Sequence, residues 1–182
     1  MLTVRSQFIR AGFVAACFCS LVAAASGAPH RSLPFHGTFS GQLALLPPFS
    51  EGSVDRCNAN LTAAGEFPGH YLSLIDVAAG TFTHLGRTVV ESTSCLASDS
   101  PFNVQGEGIL RAANGDEVFI TFENVTLPTA DPDLLAVTGT ESIVGGTGRF
   151  AGASGEQTCA FEVRVSTGTI TGGCVGEIVI AP

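Results

Sequence analysis

Residues 103–127 read NVQGEGILRAANGDEVFITFENVTL. Two arms rich in β-formers flank Asn114-Gly115-Asp116. An Asn-Gly step supplies the positive φ angles that a tight hairpin turn needs. In the second arm Val118, Ile120 and Phe122 alternate with Phe119, Thr121 and Glu123. That is the period of two expected of a strand with one face turned to a core. The stretch therefore predicts an antiparallel hairpin, Asn103–Ala112 with Glu117–Leu127.

The same pattern extends on both sides. Upstream, Phe35–Leu45 (beginning FHGTFSGQL) predicts a first strand, ended by Pro47-Pro48, which cannot donate to a ladder. Glu51–Gly65 is less regular and holds Cys57. His70–Val77 predicts another strand, and Thr81–Leu85 runs on to Arg87–Cys95, joined or bulged at Gly86. Downstream, Pro128–Pro132 predicts a loop and Leu135–Val144 a strand. The glycine-rich run 145–155 leads to a last hairpin, Gln157–Val165 with Thr169–Ile180. No amphipathic helical stripe with caps interrupts this series. Short strands with turns every 8–12 residues predict an all-β sandwich or barrel.

The first residues follow another logic. Arg5 and Arg10 precede the apolar run AGFVAACFCSLVAAA (Ala11–Ala25), and Ser26-Gly27-Ala28 follows. A basic start, a short apolar run and a small-residue exit predict a secretory signal peptide over residues 1–28, with the folded domain over 29–182. Ala25 and Ser26 are alternative cleavage points. The run is shorter than the ~20 residues of a membrane span, and nothing later approaches it. No mature transmembrane segment is expected, and the mature chain is placed in the periplasm or the outside medium.

The predicted mature part has six arginines, no lysine and all 16 acids, a net charge near −10. Such a surface repels the phosphates of nucleic acid and anionic lipid. Neither is an expected partner. Four cysteines remain after processing, Cys57, Cys95, Cys159 and Cys174. An even count in an exported chain predicts two disulfides. With Ser166-Thr167 as the last hairpin's loop, Cys159 and Cys174 fall opposite each other. The expected pairs are Cys159–Cys174 and Cys57–Cys95. Close cysteine pairs of the C-x-x-C kind are absent, and His36, His70 and His84 have no ligand spacing, so no metal and no cofactor is expected.

The run GGTGRFAGASG (Gly145–Gly155), with THLGRTVVE (83–91) and ANGDEVF (113–119), resembles the allene oxide cyclase and dirigent barrel proteins, here of a small exported type. The resemblance spans roughly Phe35 to Ile180. It implies a single antiparallel β-barrel of about eight strands with an apolar cavity. The plant members cyclise or guide reactive small molecules. The carboxylate and amide that the cyclases use on their first strand have no counterpart in Phe35-His36-Gly37-Thr38-Phe39-Ser40-Gly41, so no catalytic residue is carried over. Within the glycine run, Phe150 is expected to plug one barrel end.

Other motifs fail their context. Gly146-Thr147-Gly148 is followed by strand rather than by the helix a dinucleotide loop needs. Gly152-Ala153-Ser154-Gly155-Glu156 lacks the closing glycine and the helix of a nucleophile elbow. Asn60-Leu61-Thr62 and Asn124-Val125-Thr126 match the glycosylation acceptor, but the second lies in a predicted strand.

The candidate ligand-binding residues are His84, Arg87, Glu91 and Glu141. A bulge at Gly86 would put His84, Arg87 and Glu91 on one face. Facing inward they would orient a ligand or move protons; facing outward they are an exposed ion pair of little consequence. Three functions follow: a barrel that binds or scaffolds a small apolar ligand, a cyclase or isomerase working by positioning, or an inert, filled barrel that associates into homo-oligomers. A hollow interior keeps the first two. A carboxylate such as Glu91, Glu107 or Glu141 facing inward beside an amide or His favours the enzyme.

Overall fold

A computed structural model describes residues 30–45, 71–97 and 103–180. Eight strands follow one another: β1 (Arg31–Leu45), β2 (Tyr71–Phe82), β3 (Gly86–Ala97), β4 (Asn103–Ala112), β5 (Glu117–Pro128), β6 (Leu134–Gly146), β7 (Ser154–Arg164) and β8 (Thr169–Ile180). Each pairs with its sequence neighbours, and β1 pairs antiparallel with β8, closing an up-and-down barrel. The all-β, eight-stranded antiparallel barrel expected from the sequence is what forms. Closure leaves no free sheet edge to attract other chains.

The alternation read in β5 sets its orientation. Val118, Ile120, Phe122 and Asn124 are buried, while Thr121 and Glu123 face solvent. Where the barrel closes, inward positions pair large against small. Phe35 lies opposite Gly176, Phe39 opposite Gly172, and Cys174 opposite Gly37. Gly172 is also opposite Phe161 of β7, so Phe39 and Phe161 meet edge to face over it, centroids 5.8 Å apart. A Cβ on Gly172 would fall 2.1 Å from Phe161 Cβ, closer than two carbons can pack.

Two expectations are corrected. Gly86 is not a bulge in a continuing strand. The stretch from Tyr71 runs unbroken to Phe82, and residues 83–85 turn the chain. His84 (φ 64°) and Gly86 (φ 71°) both adopt the left-handed conformation there, which His and above all Gly tolerate. The small residues Ala78-Ala79-Gly80, unassigned in the sequence reading, carry β2 through, pairing with Phe39–Gly41. Likewise β7 starts at Ser154, three residues earlier than expected.

One end of the barrel is plugged. A single 3-10 turn, Gly148–Phe150, inserts Phe150 (1% exposed) among Phe35, Leu85, Leu110, Val118, Ile143 and Ile178. Arg149 straps this end from outside. Its guanidinium meets Asp116 at 3.2 Å, donates to the His84 carbonyl, and lies 5.0 Å from the Phe150 ring centroid. Truncation of a buried Phe leaves a cavity the surroundings cannot fill, so Phe150→Ala is expected to cost about 3–5 kcal/mol. Urea unfolding would register this as a lower midpoint with an unchanged m value.

Candidate functional site

Above the plug the barrel is hollow. A cavity of about 450 Å³ lies within the roughly 300–1,000 Å³ typical of small-molecule sites. Its walls are mostly apolar, among them Phe39, Phe82, Phe122, Val137, Phe161 and Ile170. It reaches the surface beside Thr126, Val165 and Thr167. At that mouth Asp133 ties the β5–β6 turn to the β7–β8 turn. It accepts from Ser166 N (2.7 Å), Ser166 Oγ (2.8 Å) and Arg164 (3.0 Å). The Ser166 hydroxyl, then its backbone N–H, holds the Asp133 carboxyl below its usual range.

Three inward positions on β5, β6 and β7 are polar and buried: Asn124, Glu141 and Gln157, respectively 6%, 8% and 1% exposed. The registers place them together. Asn124 is opposite Gly139, two residues from Glu141, and Glu141 is opposite Gln157. Gln157 Nε2 donates to Glu141 Oε2 at 2.7 Å. The side-chain oxygens of Asn124 and Gln157 have no hydrogen-bond partner among the described residues. A buried acceptor left so costs roughly 1–3 kcal/mol. Asn124 and Glu141 line the cavity directly.

Burial disfavours the charged form of Glu141 and raises its pKa to about 7, although the Gln157 hydrogen bond pulls the other way. The remaining wall residues are uncharged. Glu141 is therefore a carboxylic acid in weakly acid solution and a carboxylate in alkaline solution, able to give or take a proton near neutrality.

The wall beside it holds the disulfide expected from spacing. Cys159 and Cys174 are directly opposite across β7 and β8 and bonded, S–S 2.03 Å. A Glu141 oxygen and both sulfurs lie within 4.8 Å of one another. Bonded sulfurs are not thiolates and so do not make this a metal site. Cys95 is also disulfide-bonded; Cys57, its expected partner, lies outside the described residues, as do the predicted signal peptide, His70 and Asn60.

The four residues singled out from the sequence separate. Glu141 is inside. His84, Arg87 and Glu91 are exposed, so of the two faces left open for them the inward one is not taken and no inward cluster forms. His84 sits in the β2–β3 turn, its Nε2 3.0 Å from the Pro34 carbonyl. Arg87 and Glu91 share the outward parity of β3, whose inward residues are Thr88, Val90, Ser92 and Ser94. Glu91 pairs instead with Arg111 at 3.2 Å, and Arg111 with Glu117 at 2.8 Å. Glu107 is exposed as well. Asn124, whose glycosylation tripeptide was set aside as lying in a strand, is buried in the cavity wall. It and Gln157 were missed as site residues. Their signal was a polar residue at an inward parity position. Among the described residues no helix is long and apolar enough to cross a membrane.

No family model matches the chain, and no curated protein matches it. Among solved structures it is similar to a pterocarpan synthase dirigent protein: 16% identity, TM-score 0.52, over 84% of this chain and 90% of that one. That likeness shows the fold, a dirigent-like barrel.

Glu141 makes stability depend on pH. Its pKa is about 7 in the folded chain against an ordinary 4.5, so the folded state binds more protons between these values. The favourable contribution is complete below pH ~4.5 and is lost as pH rises to ~7, a fall of roughly 3 kcal/mol. Urea midpoints taken from pH 4.5 to 8 should show it in the wild type and not in Glu141→Gln.

Proposed function

We propose that this barrel binds or scaffolds a small, largely apolar molecule that carries a hydrogen-bond donor. The observation that carries the reading is an apolar cavity of about 450 Å³ with Asn124 and Glu141 as its buried polar wall. Apolar lining supplies affinity, and a few placed polar groups fix orientation. A ligand N–H or O–H directed at the Glu141 carboxyl in that wall would fix the ligand's orientation. The dirigent-like fold supports a role in holding a small molecule. The Cys159–Cys174 bond supports a periplasmic or secreted location, since such bonds persist outside the reducing cytosol.

A second reading, a cyclase or isomerase, draws on one specific observation. Glu141 faces inward beside the Gln157 amide, with a pKa of about 7. An acid poised there suits proton transfer to or from a molecule held by the apolar walls.

Native mass spectrometry of the exported protein is expected to find a small molecule bound in the barrel. Val137→Phe, which fills the cavity, should abolish its retention while circular dichroism stays native. Glu141→Gln should weaken retention by about tenfold, the worth of one hydrogen bond to the acid. A barrel that carries no ligand and takes up no apolar fluorophore would end the proposal. Loss of a chemical conversion in Glu141→Gln by about 100-fold or more, with binding retained, would select the enzyme.

A further inference from the structure

The Cys159–Cys174 disulfide has an unusual position for a structural staple. It is not at a chain end or in an outer loop. It joins neighbouring strands that backbone hydrogen bonds already hold together, and it sits in the inner wall, with Cys174 lining the cavity. Among the described residues no ion pair occupies the Glu141 carboxyl, and one of its oxygens lies within 4.8 Å of both sulfurs.

We propose that this disulfide is a reactive site, opened by a small thiol that enters the cavity, with Glu141 delivering the proton to the departing sulfur. Thiol–disulfide exchange begins with a thiolate attacking one sulfur of the bond. Of the two residues only Cys174 lines the cavity, so its Sγ takes the attack. A new S–S bond forms there as the Cys159–Cys174 bond breaks, and the electron pair leaves on Cys159 Sγ. Cys159 is fully buried, and an apolar wall strongly disfavours a thiolate. Protonation as the bond breaks removes that charge. Glu141 becomes the carboxylate, accepting from Gln157 Nε2 at 2.7 Å. Solvent then returns to Glu141 the proton that the incoming thiol gave up. A second thiolate attacks the small molecule's sulfur and frees Cys174, protonated in the same way. Two thiols are oxidised to one disulfide, and the protein disulfide is reduced to two thiols.

The proton source is unambiguous. The side chains facing Glu141 are Phe122 and Asn124 from β5, Gln157 and Cys159 from β7, and Cys174 from β8, and none is charged. Among the described residues no other ionisable group lines the cavity. The site does not depend on which ligand the barrel carries.

The test is native-state reduction by 2-mercaptoethanol between pH 5.5 and 8.5. Alkylation and peptide mass mapping follow Cys159 and Cys174, with rates expressed per thiolate. The normalised wild-type rate is expected to fall as pH rises through about 7. Glu141→Gln should react at least tenfold more slowly at pH 6 and show no such fall; general acids contribute this much or more. Glu141→Asp, which keeps the acid, should keep the pH dependence. Thioredoxin, too large for the cavity, should be at least tenfold slower than the small thiol. A wild-type profile flat in pH overturns the proposal. So does a Glu141→Gln rate equal to wild type, or opening no faster than global unfolding. Should Glu141→Gln fail to fold by circular dichroism, the wild-type and Glu141→Asp profiles decide.

Discussion

Everything in this molecule depends on the ladder between β1 and β8. It joins the two ends of the strand series, twelve residue pairs from Arg31↔Ile180 to Gln42↔Thr169. Without it the barrel is an open sheet with two bare edges and one solvated apolar face. The ladder forms because its inner side alternates bulk with its absence. Phe35, Phe39 and Cys174 each face a glycine across it. Two large side chains opposite each other would force the strands apart. Two small ones would leave the wall thin. The glycines cost conformational entropy in the unfolded chain, but they let the aromatic rings lie along the wall instead of meeting head-on in the centre. The two ends then differ. Phe150 and the aliphatic residues around it fill one. At the other, Phe39 and Phe161 stay against the wall and the interior remains empty.

Much of the architecture was legible. Asn114-Gly115 and the alternation after it announce a hairpin from chemistry alone, and Gly115 does take a positive φ of 89°. The last hairpin's length placed Cys159 opposite Cys174, because a ladder's register follows from its loop. The β2–β3 connection was misread for a physical reason. A glycine next to a strand predicts a bulge and a turn equally well, and the outcome was decided by His84 taking a left-handed conformation. Sequence carries no mark of that, since the energy comes from pairing of β2 with both β1 and β3. A bulge would have put His84 on one face with Arg87 and Glu91; the turn instead takes His84 out of the strand, and Arg87 and Glu91 take the outward one of the two faces left open.

The hollow interior was not legible at all. Alternation reports which residues face inward, not whether they meet. That depends on strand number and tilt, which set the barrel's width. The polar group inside it was half legible. Glu141 breaks an inward series Leu135, Val137, Gly139, Ile143, and a carboxylate there is costly unless something keeps it. What keeps it is Gln157, a residue 16 positions away that only the β6–β7 register brings beside it.

Glu141, Gln157 and Asn124 together cost the fold stability. An apolar trio of the same size would seal the wall with no acceptor unsatisfied and no acid held near neutrality. Asn124 and Glu141 border the cavity instead of packed core, and Gln157 is held beside them by its hydrogen bond to Glu141. A polar atom at a cavity wall can be met by whatever enters, while one in the plug could not. Of the buried polar side chains among the described residues, Ser94, Asn124 and Glu141 line the cavity, while Thr88 lies opposite Ala112 of the packed cluster, its hydroxyl donating to the Gly86 carbonyl. The barrel thus divides into a packed end around Phe150 that supplies stability and a chamber whose wall carries an acid. The disulfide lies at the boundary: Cys159 and Cys174 belong to the packed cluster, and Cys174 also lines the chamber. Its sulfurs are thereby held by the rigid part of the molecule while facing the part that admits solutes. A reactive bond needs that arrangement to be attacked without the fold opening.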